Sequence, residues 1–199
     1  MSEYEELRTE CLKCTACGLA ETRKQVVFGV GPAPCDLMFI GEAPGADEDE
    51  QGIPFVGRAG QLLTKMLATV GINRDTDAYI ANICKCRPPE NRNPEKEEAN
   101  ACMHWLKDQI RLVQPKIIVL VGAVAMKNML GENMPGITRA RGKWVTCEGV
   151  DALIIFHPSY LLRNASSEVG SPKWQTWQDL KAVKSALEYK KLENKQMTN

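Results

Sequence analysis

Four continuous apolar runs, set between helical patterns, constrain this chain more than any other feature. They are Asp36-Leu-Met-Phe-Ile40, Ala78 to Ile83, Lys116-Ile-Ile-Val-Leu-Val121 and Leu153 to Phe156. A short unbroken apolar run suits a strand buried on both faces. Lys143 to Thr146 reads as a further strand. Between the runs the apolar period becomes helical. Leu62, Leu63, Met66, Leu67 and Val70 share one face, and Gly71 closes that helix. Asn93 reads as an N-cap with Pro94 at the first helical position, and Glu95, Glu97 and Glu98 fill the first turns of a helix ending near Val113. Gly122 leads into a helix of two turns, and Ser171 and Pro172 open a long helix that is amphipathic through Trp174, Trp177, Leu180 and Val183. Residues 5–18 begin as a helix and enter a cysteine-rich turn.

This alternation predicts a three-layer α/β/α fold with a mainly parallel central sheet. In such sheets ligands bind beyond the carboxyl ends of the strands. Three polar segments follow strands directly: Gly41–Glu50, Asn82–Arg92 and His157–Arg163. They are expected to converge on one edge.

A length of 199 residues with 44% hydrophobic content fits a single domain over residues 1–199. No apolar run approaches the roughly 18 residues of a membrane span, and the polar start lacks the apolar core of a signal peptide. A cytoplasmic monomer without a membrane partner is expected. Basic and acidic residues balance at 25 each, which gives no global pull toward nucleic acid. The local field is what matters for binding, however, and the charges are unevenly placed. Asp47, Glu48, Asp49 and Glu50 form one acidic run, while Arg87, Arg92, Arg139, Arg141, Lys143 and Arg163 lie in loop-like segments. The tail after Leu192 reads as frayed. No glycine fingerprint of a dinucleotide or phosphate loop is present, which disfavours a generic nucleotide-binding protein.

Several residues in the converging segments admit two readings. Gly41 and Gly45 permit a tight backbone path beside a ligand. Phe55 is a core plug or a stacking platform. Asn82 caps a turn, or it uses its paired donor and acceptor to read the edge of a base. His157 is one of only two histidines. It is structural, or it acts at the functional edge. His104 falls within a helix and has no assigned role.

Eight cysteines are many for a reducing compartment, where disulfides are rare. Cys11-x2-Cys14-x2-Cys17, Cys84-x-Cys86 and Cys102 can furnish a four-thiolate site for zinc or an iron–sulfur cluster, and spacing alone does not choose between them. Cys35 and Cys147 read as buried free thiols.

Taken in order, these segments resemble the family 4 uracil-DNA glycosylases, the iron–sulfur type. The resemblance is carried by Cys14-Thr-Ala-Cys17, Gly41-Glu-Ala-Pro-Gly45, Gly52-Ile-Pro-Phe-Val-Gly-Arg-Ala-Gly60, Asn82-Ile-Cys-Lys-Cys-Arg-Pro-Pro89 with Asn91-Arg92, Cys102, and His157-Pro-Ser-Tyr-Leu-Leu-Arg163.

The resemblance implies a DNA-repair enzyme that flips uracil out of single- or double-stranded DNA and hydrolyses its N-glycosidic bond. It implies a 4Fe-4S cluster on Cys14, Cys17, Cys86 and Cys102, with Cys11 and Cys84 as bystanders. Phe55 would stack on uracil, Asn82 would read its polar edge, and Gly41, Glu42 and Ala43 would complete the pocket. His157 would stabilise the departing base. Glu48 is the first choice for the catalytic carboxylate and Glu42 the second. Arg87, Arg92 and Arg163 would meet DNA phosphates, while Leu161 or Leu162 either wedges into the base stack or belongs to the core.

Classical uracil glycosylases carry an Asp where this chain has Ala43-Pro44, so the carboxylate must come from elsewhere in the loop. A covalently trapping relative has Gln at the place of Ala43 and a histidine-bearing insertion. The segment Pro88–Pro94 contains no histidine, so turnover is expected. The alternative function is a non-catalytic uracil-DNA binding module with a structural metal site.

Overall fold

The computed structural model describes residues 1–197, with side chains through Glu193. The chain opens with α1 (Glu3–Cys11), where the Ser2 hydroxyl accepts the Glu5 N–H at 3.3 Å, followed by the single turn α2 (Leu19–Thr22). Strand β1 (Leu37–Gly41) leads into α3 (Ala46–Gln51) and α4 (Arg58–Thr69). A short α5 (Arg74–Asp77) precedes β2 (Tyr79–Asn82), and α6 (Lys96–Val113) follows. Strand β3 (Ile117–Val121) runs directly into α7 (Gly122–Leu130). After α8 (Ile137–Ala140) come β4 (Trp144–Cys147) and β5 (Val150–Ile155), then α9 (Pro158–Arg163) and α10 (Pro172–Met197).

The sheet order is β2-β1-β3-β5-β4. Pairings β1–β2, β1–β3 and β3–β5 are parallel, and β4 joins as an antiparallel edge. Every residue of β1, β2 and β3 is buried, as their unbroken apolar character requires. The strand period of two then divides the core. Met38, Ile40, Ile118 and Leu120 pack on one face with Leu106, Val113 and Met126 of α6 and α7. Leu37, Phe39, Ile117 and Val119 pack on the other with Leu63 and Leu67 of α4 and Leu180 and Val183 of α10. This is the expected three-layer fold.

Three elements differ from the sequence reading. Helix α6 starts at Lys96, not Pro94, because Glu95 takes the capping position and its N–H is met by the Glu98 carboxylate at 2.8 Å. The acidic run expected in a loop is helical in α3. Helix α10 continues past Leu192 to Met197, and the last two residues of the tail lie outside the described ones. Among the described residues no helix is long and apolar enough to cross a membrane.

Strand β1 has β2 on one side and β3 on the other, so the chain changes direction across it. That switch opens a crevice at the carboxyl ends of the parallel strands.

Candidate active site

A cleft of about 700 Å³ occupies that crevice. Its walls come from all three converging segments, including Glu42, Ala43 and Glu48 after β1, Asn82 at the end of β2, and His157 and Arg163 after β5. Phe55 reaches the same cleft from the segment between α3 and α4.

The Phe55 segment is held under constraint. Phe55 adopts φ +54°, a left-handed conformation unusual for a bulky residue. Three groups hold it there. The Arg74 guanidinium donates to the carbonyl oxygens of Pro54 and Phe55 and to Thr64 Oγ1, the last at 3.1 Å. The Glu48 Oε1 accepts the N–H groups of Val56 and Gly57, each at 2.9 Å, while its Oε2 accepts that of Gly45 at 3.0 Å. Gly60 leaves the space that the Phe55 carbonyl needs, since a Cβ there would overlap that oxygen. Gly41 does not line the cleft but makes room for its contents: a Cβ there would collide with Asn82 Oδ1 and stand 2.5 Å from Phe55 Cζ. Phe55 is thus both plug and cleft wall, with its ring centroid 5.9 Å from that of His157.

Asn82 is buried, and its Oδ1 has no hydrogen-bond partner among the described residues. A buried acceptor left open is costly unless a ligand supplies the donor. Glu42 has no side-chain partner among the described residues, and burial pushes its carboxyl up to about 6. Glu48 contrasts with it, because its oxygens are already engaged by backbone N–H groups.

Burial lowers His157 to about 4, and the neighbouring Arg163 charge adds to this while Glu48 opposes it. The imidazole is therefore neutral near pH 7. Its Nδ1 accepts the Ser159 N–H at 3.2 Å and lies 2.8 Å from Ser159 Oγ. An accepting Nδ1 puts the ring proton on Nε2, which leaves that N–H as the donor.

The predicted DNA-facing residues separate. Arg163 lines the cleft, is exposed and pairs with no carboxylate among the described residues. Arg92 also lines it, but its guanidinium grips Glu98 with bonds of 2.8 and 2.7 Å. Arg87 stands off the cleft and donates to Asn91 Oδ1 at 2.8 Å. Leu161 does not suit a wedge: it is fully buried in the core beneath α9, where α9 packs on α4. Leu162 is half-buried.

Arg58, exposed at the start of α4, and Asn91 also line the cleft, and sequence reasoning gave neither a role. Both lie inside quoted motifs, so the signal was present. The bracing role of Arg74 had no local signal, because its partners lie 10 to 20 residues away.

Beside α6 lies a second cavity, lined by Cys14, Cys17, Cys86 and Cys102. Cys11 and Cys84 are buried but do not line it. Hydrogen-bond donors surround the sulfurs. Arg23 Nη1 lies 3.3 Å from Cys86 Sγ, and the Lys85 backbone N–H lies 3.2 Å from Cys102 Sγ. Trp105 lines the same cavity, and its indole N–H has no partner among the described residues. A hydrogen bond from Cys84, aided by Lys85, pulls the Cys102 thiol below its usual range against burial. Among the described residues, no three potential ligands stand close enough to hold a single metal ion.

Residues 28–181 match the family model of the uracil DNA glycosylase superfamily. The chain belongs to this superfamily. Within it, the chain is 48% identical over 158 residues to a type-4 uracil-DNA glycosylase of Thermotoga maritima, covering 79% of this chain and 82% of the relative. It is 42% identical over 164 residues to the type-4 enzyme of Sulfurisphaera tokodaii, covering 80% and 74%. The type-4 enzyme of Archaeoglobus fulgidus is 40% identical over 169 residues, covering 81% and 84%.

Proposed function

We propose that this member of the uracil-DNA glycosylase superfamily binds uracil-containing DNA, draws the uracil nucleotide out of the stack, and hydrolyses the bond between base and sugar, leaving an abasic site. The observation that carries this reading is the open Oδ1 of buried Asn82, set in one cleft with Phe55, Glu42 and His157. Residues 1–199 act as one domain in this reading.

Extrusion is needed because a base inside a duplex is out of reach of such a cleft. Phe55 gives the ring a stacking surface. Asn82 accepts the uracil ring N–H and donates from its amide to the adjacent carbonyl. Cytosine presents the opposite order of donor and acceptor on that edge and leaves both groups of Asn82 mismatched.

The bond from C1′ to the base then breaks, and its electron pair leaves with the uracil ring. The neutral His157 donates from Nε2–H toward the oxygen where this negative charge gathers. A water oxygen bonds to C1′, and Glu42 accepts a proton from that water. A carboxyl raised to about 6 by burial suits this exchange, because it is ionised near pH 7 yet basic enough to take a proton. Glu48 supplies a fixed negative charge and braces the Phe55 segment.

The cysteine cavity fits an iron–sulfur cluster. Its donor set is four sulfurs, and N–H groups of Arg23 and Lys85 reach two of them, Cys86 and Cys102. Cys14, Cys17, Cys86 and Cys102 would hold the cluster, tying the N-terminal segment to α6. Its contribution is structural, since hydrolysis transfers no electron.

Single-turnover release of uracil from a duplex with one uracil opposite guanine tests the reading, with wild type, Glu42→Gln and Glu48→Gln side by side. Rapid release by wild type with the larger loss in Glu42→Gln is expected. A larger loss in Glu48→Gln would move water activation to that residue. No release by wild type, with DNA binding intact, would replace the enzyme with a binding module.

A further inference from the structure

Lys85 lies between Cys84 and Cys86, and its side chain is only 1% exposed. It forms no ion pair with any carboxylate among the described residues. Its ammonium donates to two neutral acceptors, the Asn82 carbonyl oxygen at 2.8 Å and Gln109 Oε1 at 2.5 Å. A buried ammonium with no anion is strongly disfavoured. Lys85 also lines the cavity formed by Cys14, Cys17, Cys86 and Cys102, and its backbone N–H reaches Cys102 Sγ at 3.2 Å.

The ammonium is also fixed in place. Gln109 is itself held, its Nε2 donating to the Phe28 carbonyl oxygen at 2.8 Å and the Tyr79 hydroxyl at 2.9 Å. The Tyr79 hydroxyl pairs with that of Tyr4 at 3.0 Å. This polar run crosses the core from α1 to the end of β2. Lys85 therefore cannot swing toward solvent, and an ammonium held there is stabilised only by a nearby anion. An iron–sulfur cube bound by four thiolates carries net negative charge.

We propose that Lys85 is the buried counter-charge of the iron–sulfur cluster and, through its bond to the Asn82 carbonyl, the link between the cluster and the base-reading side chain. The proposal rests on the cluster reading above. It assigns two separable tasks to one residue. The charge steadies a reduced, more negative cluster. The hydrogen bond holds the end of β2 where Asn82 faces the cleft. A lysine serving only as a hydrogen-bond donor would have no effect on the cluster's electronic properties.

The test compares full-length, iron-loaded wild type with Lys85→Gln and Lys85→Met. Glutamine keeps a donor but no charge, and methionine keeps neither. Iron content is measured first, then the cluster's reduction potential by spectroelectrochemistry, then the affinity ratio for uracil over cytosine in matched oligonucleotides. Both variants are expected to be at least tenfold harder to reduce, about 59 mV for one electron. Lys85→Met alone is expected to lose uracil discrimination, by about tenfold.

An unchanged potential in iron-loaded Lys85→Gln overturns the counter-charge. Equal discrimination by the two variants overturns the link. Wild type that holds no iron overturns the cluster reading and this proposal together, which distinguishes the two failures. If Lys85→Met does not fold, Lys85→Gln, which keeps a donor for the Asn82 carbonyl and Gln109, carries the potential measurement alone. The same negative shift is then expected, and its absence overturns the proposal.

Discussion

The cleft and the cysteine corner lie on either side of the end of β2, with Asn82 lining one and Cys86 the other. They are built on opposite plans. In the cleft, backbone groups position the side chains that would act: Glu48 is held by three N–H groups, Phe55 by a left-handed backbone, and His157 by the Ser159 N–H. Beside them, Asn82 Oδ1 and the Glu42 carboxyl are left without partners among the described residues. In the corner the polar groups turn inward, and N–H donors converge on sulfur. The first plan leaves unmet hydrogen-bonding capacity for a substrate. The second spends that capacity on holding the chain together. Damage to the cleft should therefore remove chemistry and spare the fold, and damage to the corner should do the reverse.

The largest expected effect tests the corner. Cys86→Ala should lose all its bound iron and show a lowered Tm, read by iron assay and calorimetry. Full iron retention would remove Cys86 from the ligand set and undo the contrast.

Next in size is His157→Ala. Loss of one charge-stabilising donor lowers single-turnover rates by roughly 10²–10³. DNA affinity and Tm should change little. A rate loss matched by an equal loss of binding would make His157 a binding group instead.

The pH dependence sharpens the cleft side further. Glu42, raised to about 6, should give a single-turnover rate that rises with pH through that value, and Glu42→Gln should abolish this limb. Stability follows its own signs. His157 is lowered from 6.5 to about 4, so the unfolded chain takes up a proton first. Its contribution is complete above pH 6.5 and is lost as pH falls through 4. Glu42 acts oppositely: its contribution is complete below 4.5 and lost as pH rises through about 6. Denaturant melts of His157→Gln across this range should isolate the Glu42 limb.

The smallest effect concerns the cleft rim. Arg58→Ala and Arg163→Ala should each reduce the slope of log K against log salt by about 1, if each meets a phosphate. Arg92→Ala should instead act through its grip on Glu98 and lower the Tm.

Much of this layout was legible in the chain. The apolar runs became β1, β2, β3 and β5 because strands buried on both faces leave no room for polar alternation. The convergence of Glu42, Asn82 and His157 followed from strand direction alone. Legibility stopped where long-range partners decide a residue's fate. Glu48 was the first choice of catalytic carboxylate, and the fold bends Val56 and Gly57 back onto it. Leu161 and Leu162 were indistinguishable until α9 turned one of them into the core. Lys85 had no reading of its own within a cysteine motif, and only three-dimensional packing shows that it is buried.

The interlock of Gly41, Phe55 and Gly60 has a consequence for how such a site can change over generations. A side chain added at Gly41 strikes Phe55, and one added at Gly60 strikes the Phe55 carbonyl. Residues in such close contact do not vary independently. The trio is an epistatic block: a saturation library scanned one position at a time would find it barren, and new base specificities would emerge only from coordinated double or triple replacements.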